Sequence, residues 1–318
     1  MDSICFIVHS QKGKLVHLEK KVRESFCDKY NVEFLFTQGY RSAEHLAYTA
    51  VEQGCRYVIA VGGDGTVNEV INGVMHLPIQ LRKNVVVGVL PKGTGNDFAR
   101  TIGAKSSVSN LLKQIEQQQY GLIDIINVSY TNGRGDIVQR YCNNIADVGI
   151  GPYTILSVDK FSRWVGSNLA FSIAAFKALV FLKSRRIRLK ADGTRYTGKI
   201  KCVCMANGRY FGSGLGIAPL AKINDGLMNV VIIKNVSPFL FLKFLGSLRT
   251  AKPIIHPKIH YYTAKHVTIT APEKTLPLDL DGEVLGYAPI TAEVIPASIH
   301  VLGDNFPSRI VRNTLKQE

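Results

Sequence analysis

Short, unbroken apolar runs alternate with amphipathic stretches over the first 120 residues. The runs Ile4–Val8, Val32–Thr37, Tyr57–Val61 and Val85–Leu90 have the length and continuity of strands buried on both faces. Between them, Leu15, Leu18, Val22 and Phe26 recur at helical spacing; Ser42–Gln53 reads as a second helix, and Leu111, Leu112 and Ile115 mark a further one. Strand and helix in alternation predict a doubly wound α/β layer. After Tyr120 the texture changes. Strand-like stretches dominate there, at Leu122–Tyr130, Arg186–Ala191, Lys199–Ala206, Met228–Ile233, Ile259–Thr270 and Glu293–Leu302, divided by turns such as Asn132-Gly133 and Asp192-Gly193. That pattern predicts a mainly antiparallel β-sandwich.

Two glycine turns carry the candidate chemistry. Gly62-Gly63-Asp64-Gly65-Thr66 follows the third apolar run, and Pro91-Lys92-Gly93-Thr94-Gly95-Asn96-Asp97 follows the fourth; each leads into helical spacing. Glycine lets the backbone approach an anion, and the amides of a helix start point at it. Two such turns in succession predict a nucleotide whose phosphates are held by two loops. Asp64 offers a hard oxygen to magnesium. Thr66 offers a hydroxyl to phosphate or caps a helix starting at Val67, with Asn68 one turn in. Thr94, Asn96 and Asp97 repeat that chemistry, and Lys92 and Arg100 add positive charge. Helix capping and turn formation are the plainer roles for all of these. Neither a P-loop nor a dinucleotide fingerprint is spelled by the letters.

These residues resemble the diacylglycerol-kinase-like lipid kinases, a family that includes bacterial diacylglycerol kinases and the sphingosine and ceramide kinases. Gly62–Val74 (GGDGTVNEVINGV) is similar to that family's nucleotide loop, Pro91–Arg100 (PKGTGNDFAR) to its second loop, and Leu278-Asp279-Leu280-Asp281-Gly282-Glu283 to its late catalytic motif. NAD kinases and phosphofructokinases share only the first element. The resemblance implies ATP and Mg2+ as cofactors and an N-terminal nucleotide-binding domain over 1–120, to which 304–318 returns. It implies a lipid-substrate sandwich over 121–303, with a cleft between the domains. ATP would contact Gly62, Gly63, Asp64, Gly65, Thr66, Val67, Asn68, Gly93, Thr94, Asn96 and Asp97, together with Thr37 and the run His9-Ser10-Gln11-Lys12-Gly13. The family usually has Asn-Pro at the start of that run, so the turn there departs from its pattern. Asp281 and Glu283 are the implied catalytic carboxylates, and the letters leave open which is the base. Asp64, Asp97 and Asp124 would gather near a catalytic magnesium ion, and Asp225 with the carbonyls of Lys222 and Leu227 would hold a structural one.

Charge adds a partner. The chain has 318 residues, a formal net charge of +15 and a pI near 9.5, which favours anionic partners. No nucleic-acid-binding motif accompanies that charge, so an anionic membrane surface is expected instead. The apolar run Leu169–Leu182 is interrupted by Lys177 and is shorter than the ~20 residues a spanning helix needs, so it reads as a buried or interfacial helix. The basic cluster Lys183–Lys190 reads equally as a solvated strand face or a headgroup contact. Six cysteines without a C-x-x-C pair read as reduced cytosolic thiols, with Cys202 and Cys204 on one strand face. The expectation is a cytoplasmic enzyme peripheral to the inner face of a membrane, with homodimerisation left open. Its reaction is ATP-dependent phosphorylation of a lipid alcohol, diacylglycerol first and a sphingoid base or other lipid second. The competing classes are a soluble NAD-kinase-type kinase and a non-catalytic nucleotide- or lipid-binding regulator.

Overall fold

The computed structural model describes residues 1–9, 15–158, 167–272 and 276–308, with backbone alone for 157–158 and 167–172. It divides into two compact units. The first holds 1–123 and the tail from 297; the second holds 124–296.

In the first unit β1 (Ser3–Val8), β2 (Asn31–Phe36), β3 (Tyr57–Gly62) and β4 (Val86–Pro91) run parallel in the spatial order β4-β3-β1-β2. Their side chains are almost wholly buried in β1, β3 and β4, which is why the sequence shows unbroken apolar runs rather than alternation. α1 (Val16–Phe26) and α6 (Val108–Glu116) cover one face, sealing Ile4, Phe6, Val8 and Ile59 beneath Val22, Phe26, Leu111 and Ile115. α2 (Ser42–Glu52) and α3 (Asp64–Met75) pack on each other and against β3, with α2 also meeting β1. The short helices α4 (Ile79–Arg82) and α5 (Asp97–Ile102) complete this unit. His300 and Val301, expected in the sandwich, pair in parallel with Val86 and Val87 of this unit, and Phe306 packs over Gly121; residues 309–318 lie outside the described ones.

The second unit is antiparallel. Its strands are β5 (Tyr120–Thr131, entering from the first unit), β6 (Ile137–Cys142), β7 (Ile145–Gly149), β8 (Arg185–Ala191), β9 (Thr194–Ala206), β10 (Met228–Lys234), β11 (Ile259–Ala264), β12 (His266–Thr270), β13 (Pro277–Leu280) and β14 (Glu283–Leu302, leaving for the first unit). The first half of β9 pairs with β8 and its second half with β7 and β10, so one long strand serves two layers. β8 continues to β12, β12 to β14, β14 to β13, and β13 to β7, closing the layers around a core that includes Ile187, Val203, Met205, Val267 and Leu278. Helices α7 (Ile150–Val158), α8 (Ser167–Phe181) and α9 (Pro238–Arg249) belong to this unit as well. The expected strand at Ile259–Thr270 is two strands, β11 and β12, which pair with different partners. Arg186, Arg188 and Lys190 face solvent while Ile187 and Leu189 face the core, the ordinary alternation of a half-buried strand. Cys202 and Cys204 do share a buried face, with sulfurs 3.6 Å apart. No helix among the described residues is long and apolar enough to cross a membrane.

Candidate active site

The four parallel strands of the first unit end side by side, so the residues just beyond them form one rim, where open α/β sheets take their ligands. His9 follows β1 and donates its N–H to the Val61 carbonyl at 3.0 Å; Thr37 follows β2 and donates to Val8 at 3.0 Å. The Thr37 hydroxyl and His9 Nδ1 lie 3.4 Å apart. Ser10, Gln11, Lys12 and Gly13 lie outside the described residues.

At the ends of β3 and β4 the two glycine loops meet backbone to backbone. The amides of Lys92 and Gly93 both donate to the Gly62 carbonyl, at 2.8 and 3.2 Å. A Cβ on Gly93 would fall 2.2 Å from Gly63 Cα, and one on Gly62 would fall 2.4 Å from the Thr66 hydroxyl, so only glycine permits the approach. α3 starts at Asp64, not Val67, because extended Gly63 serves as its N-cap. Thr66 is therefore not a cap. It sits with Asp64 and Gly65 in the first turn, where amides have no carbonyl one turn back to bond and the helix dipole is positive. Val67 and Asn68 are buried, and the Asn68 carbonyl accepts from Asn72 Nδ2 at 2.9 Å. Glu69 accepts from the amides of Arg41 and Ala43, which fixes the start of α2.

Asp64 is the clasp between the loops. Its Oδ2 accepts the Asp97 amide at 3.2 Å and its Oδ1 the Phe98 amide at 3.1 Å, capping α5 from the neighbouring loop. Asn96, in the left-handed region at φ 53°, closes the second loop on itself: its Oδ1 accepts from Gly93 N at 3.1 Å and its Nδ2 donates to Gly93 O at 2.8 Å. Asp97 is buried and Thr94 exposed on the same loop. Among the described residues, no group of three or more His, Cys, Asp or Glu side chains gathers as a metal site. Asp124 belongs to the second unit, where its Oδ2 accepts from Gly226 N at 2.7 Å and its carbonyl accepts from Asn207 Nδ2 at 2.7 Å. In the same loop Asp225 Oδ1 accepts from Leu227 N at 3.1 Å, closing the turn after exposed Lys222.

In the second unit the late motif is a hairpin. Leu280 pairs with Glu283, and the two residues between them, Asp281 at φ 51° and Gly282 at φ 93°, are both left-handed, as a tight primed turn demands. The motif is thus a corner, with Asp281 in the turn and Glu283 just past it. Asp281 points inward, not to solvent. Its Oδ1 accepts the amides of Ile145 at 2.8 Å and Asn144 at 3.1 Å and the Cys142 thiol at 3.3 Å; its Oδ2 accepts the Asn143 amide at 2.9 Å. Amides aimed at a carboxylate stabilise its charged form. Half-buried Glu283 opens β14 beside it.

Sequence reasoning missed the acid pair next to this corner. Asp147 on β7 and Asp279 on β13 stand directly opposite in register, and both are buried. Like charges so placed repel, and the pair resolves this by sharing a proton. Burial, then the neighbouring Asp147 charge, pushes the Asp279 carboxyl well above the usual carboxylate range. Burial pushes Asp147 up to about 6, against donations from Asp279, the Cys202 thiol and the Gly151 amide at the start of α7. Asp279 in turn accepts the Gly282 amide at 2.9 Å, tying the pair to the corner. A lone acid inside the apolar run Ile145–Ile150 was the available signal.

The pair has a consequence for stability. Both folded values lie above the unfolded ones, so the folded state holds more protons and stability falls as pH rises from about 4 through about 6. Asp147→Asn is expected to remove the part of that slope that Asp147 carries, roughly 2 kcal/mol between pH 4 and 7, and to leave the part that burial imposes on Asp279. The buried thiols Cys202 and Cys204 are pushed up and stay neutral throughout, so they do not contribute. Thermal melts of both proteins across that range, showing parallel curves, would exclude the shared proton.

An apolar pocket lies behind the pair. It is partly open to solvent, and its walls include Ile150, Leu179, Cys202, Phe241, Leu248 and Ile254. Cys202 belongs to both features: it lines the pocket and its sulfur lies 3.5 Å from Asp147 Oδ2.

With this geometry in hand, comparison with known proteins is informative. Residues 3–128 match the diacylglycerol kinase catalytic domain, and residues 148–303 match the YegS C-terminal NAD kinase beta sandwich-like domain. A diacylglycerol kinase of Bacillus subtilis (strain 168) is 30% identical over 263 residues, covering 82% of each chain. A solved structure titled as a diacylglycerol kinase from Bacillus anthracis str. Sterne superposes with a TM-score of 0.72 at 20% identity, covering 96% of this chain and 97% of that one. The latter supports the fold.

Proposed function

The chain belongs to the diacylglycerol-kinase-like lipid kinases, and from that premise we propose that it transfers the γ-phosphoryl group of ATP to the hydroxyl of a lipid alcohol, diacylglycerol first. In that reaction the acceptor oxygen forms the new bond to phosphorus. The bond from phosphorus to the β–γ bridging oxygen breaks and ADP leaves with that oxygen. The hydroxyl proton passes to a carboxylate, for which Asp281 and Glu283 are the candidates. The transition state for such transfer is loose, so positioning and charge neutralisation matter more than a strong base.

The rim of the first unit is the proposed ATP site. The first-turn amides of α3 would face the phosphates, with Thr66 and Thr94 offering hydroxyls and His9 and Thr37 completing the edge. Mg2+ fits there because it commonly takes only one or two carboxylates and fills its shell with waters and substrate phosphates. Asp64 and Asp97, already linked at 3.2 Å, are the residues that would hold it, each Asp64 oxygen keeping a lone pair beyond its amide bond. When bound, the ion would neutralise phosphate charge.

The observation that carries the lipid reading is the apolar pocket. A kinase for a soluble acceptor such as NAD has no use for a pocket walled almost entirely by aliphatic and aromatic side chains, whereas an acyl chain does. Its shared residue with the acid pair puts the apolar wall next to the corner that carries Asp281. The net charge of +15 supports work at an anionic membrane surface, on the cytoplasmic side. The test is initial-rate phosphorylation of dioctanoylglycerol, sphingosine, ceramide and NAD in mixed micelles. Diacylglycerol is expected to be turned over fastest. Ile254→Phe, which fills the pocket, is expected to raise KM for a long-chain acceptor several-fold and leave KM for ATP unchanged. Turnover of NAD alone would replace this reading with the soluble kinase, and ATP binding without turnover of any acceptor would replace it with the regulator.

A further inference from the structure

Three segments of the second unit converge on the apolar pocket, and each turns a second set of apolar residues outward. At the end of α8, Leu179 lines the pocket while Val180 and Phe181 are exposed, Phe181 at 80%. Along α9, Leu240, Phe241, Phe244 and Leu248 face the pocket, and Phe239 at 79%, Leu242 at 50%, Lys243 and Arg249 face solvent. In the loop that follows, Ile254 lines the pocket and Ile255 is 97% exposed. Phe239, Leu242, Gly246 and Arg249 recur at three- and four-residue spacing, so the exposed residues form one stripe along α9.

The segments are held together. α8 packs on α9; Ser184 Oγ, just past α8, lies 2.9 Å from Asn235 Oδ1, just before α9; Phe244 and His256 stack edge to face at 6.3 Å. An apolar stripe of this kind costs free energy in water and marks a surface that something covers.

Charge identifies the occupant. From Gly226 to Pro272 every formally charged side chain is Lys or Arg, and the same is true from Ser167 to Ala191. Lys177, Lys183, Lys243, Arg249, Lys252 and Lys258 stand exposed around the apolar residues. Aromatic and aliphatic tips in a field of lysine and arginine, with no acid among them, match an interface of hydrocarbon beneath anionic headgroups.

We propose that the outward face of α9, the end of α8 and the loop around Ile255 docks on an anionic phospholipid bilayer, bringing the pocket's rim against the lipid. The inference rests on the lipid kinase reading for its purpose and on the exposed residues for its location. An acceptor would then pass from bilayer to pocket without crossing water, because the residues that contact the membrane alternate with those that line the pocket.

The experiment is co-sedimentation of the full chain with vesicles of phosphatidylcholine alone and of phosphatidylcholine with one third phosphatidylglycerol. The parent is expected to partition at least tenfold better onto the mixed vesicles. The combined variant Phe239→Ser, Leu242→Ser, Ile255→Ser is expected to lose binding at least tenfold, and Lys243→Glu with Lys252→Glu to lose the preference for anionic lipid. Both should keep the parent's melting temperature and its rate on a short-chain diacylglycerol dispersed as monomers, since none of these side chains lines the pocket. Vesicle binding by the apolar variant at parental strength would overturn the surface, as would a parent that binds neither vesicle. So would a parent that is dimeric by light scattering and becomes monomeric in the variant, because a second copy would then be the occupant. If the parent phosphorylates no lipid yet the variants lose vesicle binding as stated, the kinase reading fails and the docking surface stands.

Discussion

Asp281→Asn is expected to lower the melting temperature as well as lipid phosphorylation, whereas Glu283→Gln is expected to lower phosphorylation alone. From the letters both substitutions look conservative, since each keeps shape and polarity and removes only a charge. The structure separates them. The Asp281 carboxylate accepts the amides of Asn143, Asn144 and Ile145, all within 3.1 Å, and a buried asparagine would turn its NH2 toward at least one of those donors. Leaving a buried amide without its acceptor costs about 1–3 kcal/mol, and more when the lost acceptor was charged. The loss falls on the loop between β6 and β7, so β7 and the Asp147–Asp279 pair on it loosen together. Glu283 lies outside the two central residues of the primed turn, so its replacement leaves that turn intact. Phosphoryl transfer is expected to fall by about a hundred- to ten-thousand-fold for whichever residue takes the hydroxyl proton. ATP affinity is the control, because the nucleotide rim belongs to the other unit. An Asp281→Asn protein that melts with the parent would remove the anchoring role, and parental rates in both variants would remove the corner from the chemistry.

Much of the first unit was legible because its physics is local. Strands buried on both faces write themselves as unbroken apolar runs, and a backbone that must pass within van der Waals contact of another writes itself as glycine, as at Gly62, Gly63 and Gly93. What the letters withheld was the direction of the polar groups. Asp64 reads as a metal ligand, and nothing in its loop shows that it also reaches across to cap α5; Thr66 reads as a phosphate contact or a cap, and lies inside α3. The Asp64 clasp depends on neighbours some 30 positions away, and spacing within one loop carries no trace of it. The second unit was harder. α9 is apolar on both its pocket face and its exposed face, so it has no clean amphipathic period to betray it, and it went unread. Asp147 and Asp279 stand 132 positions apart in the chain and meet only because β7 and β13 pair. A cross-strand partner is a property of register, and register is fixed by the whole sheet.

The glycine loops give the remaining test, in which stability and ligand affinity are expected to part company. A methyl group on Gly93 would lie 2.2 Å from Gly63 Cα and 3.0 Å from Gly63 N, against backbone that the hydrogen bonds to Gly62 O hold in place. Gly93→Ala must therefore spread the two loops, at a cost of about 1–3 kcal/mol, and the Asp64 clasp on α5 opens with them. Both melting temperature and ATP affinity are expected to fall. Gly65 is different: a Cβ there meets nothing within 4 Å, and the residue is in the first turn of α3. Gly65→Ala is expected to hold or slightly raise stability, since alanine suits a helix better than glycine by about 1 kcal/mol in an interior position and by less at its start. Its methyl would nevertheless stand where phosphate must approach the first-turn amides. Calorimetric titration with ATP should show at least tenfold weaker binding for Gly65→Ala at unchanged melting temperature. A Gly65→Ala protein that binds ATP like the parent would move the phosphates away from the start of α3. The rim would then hold the loops together without holding the nucleotide.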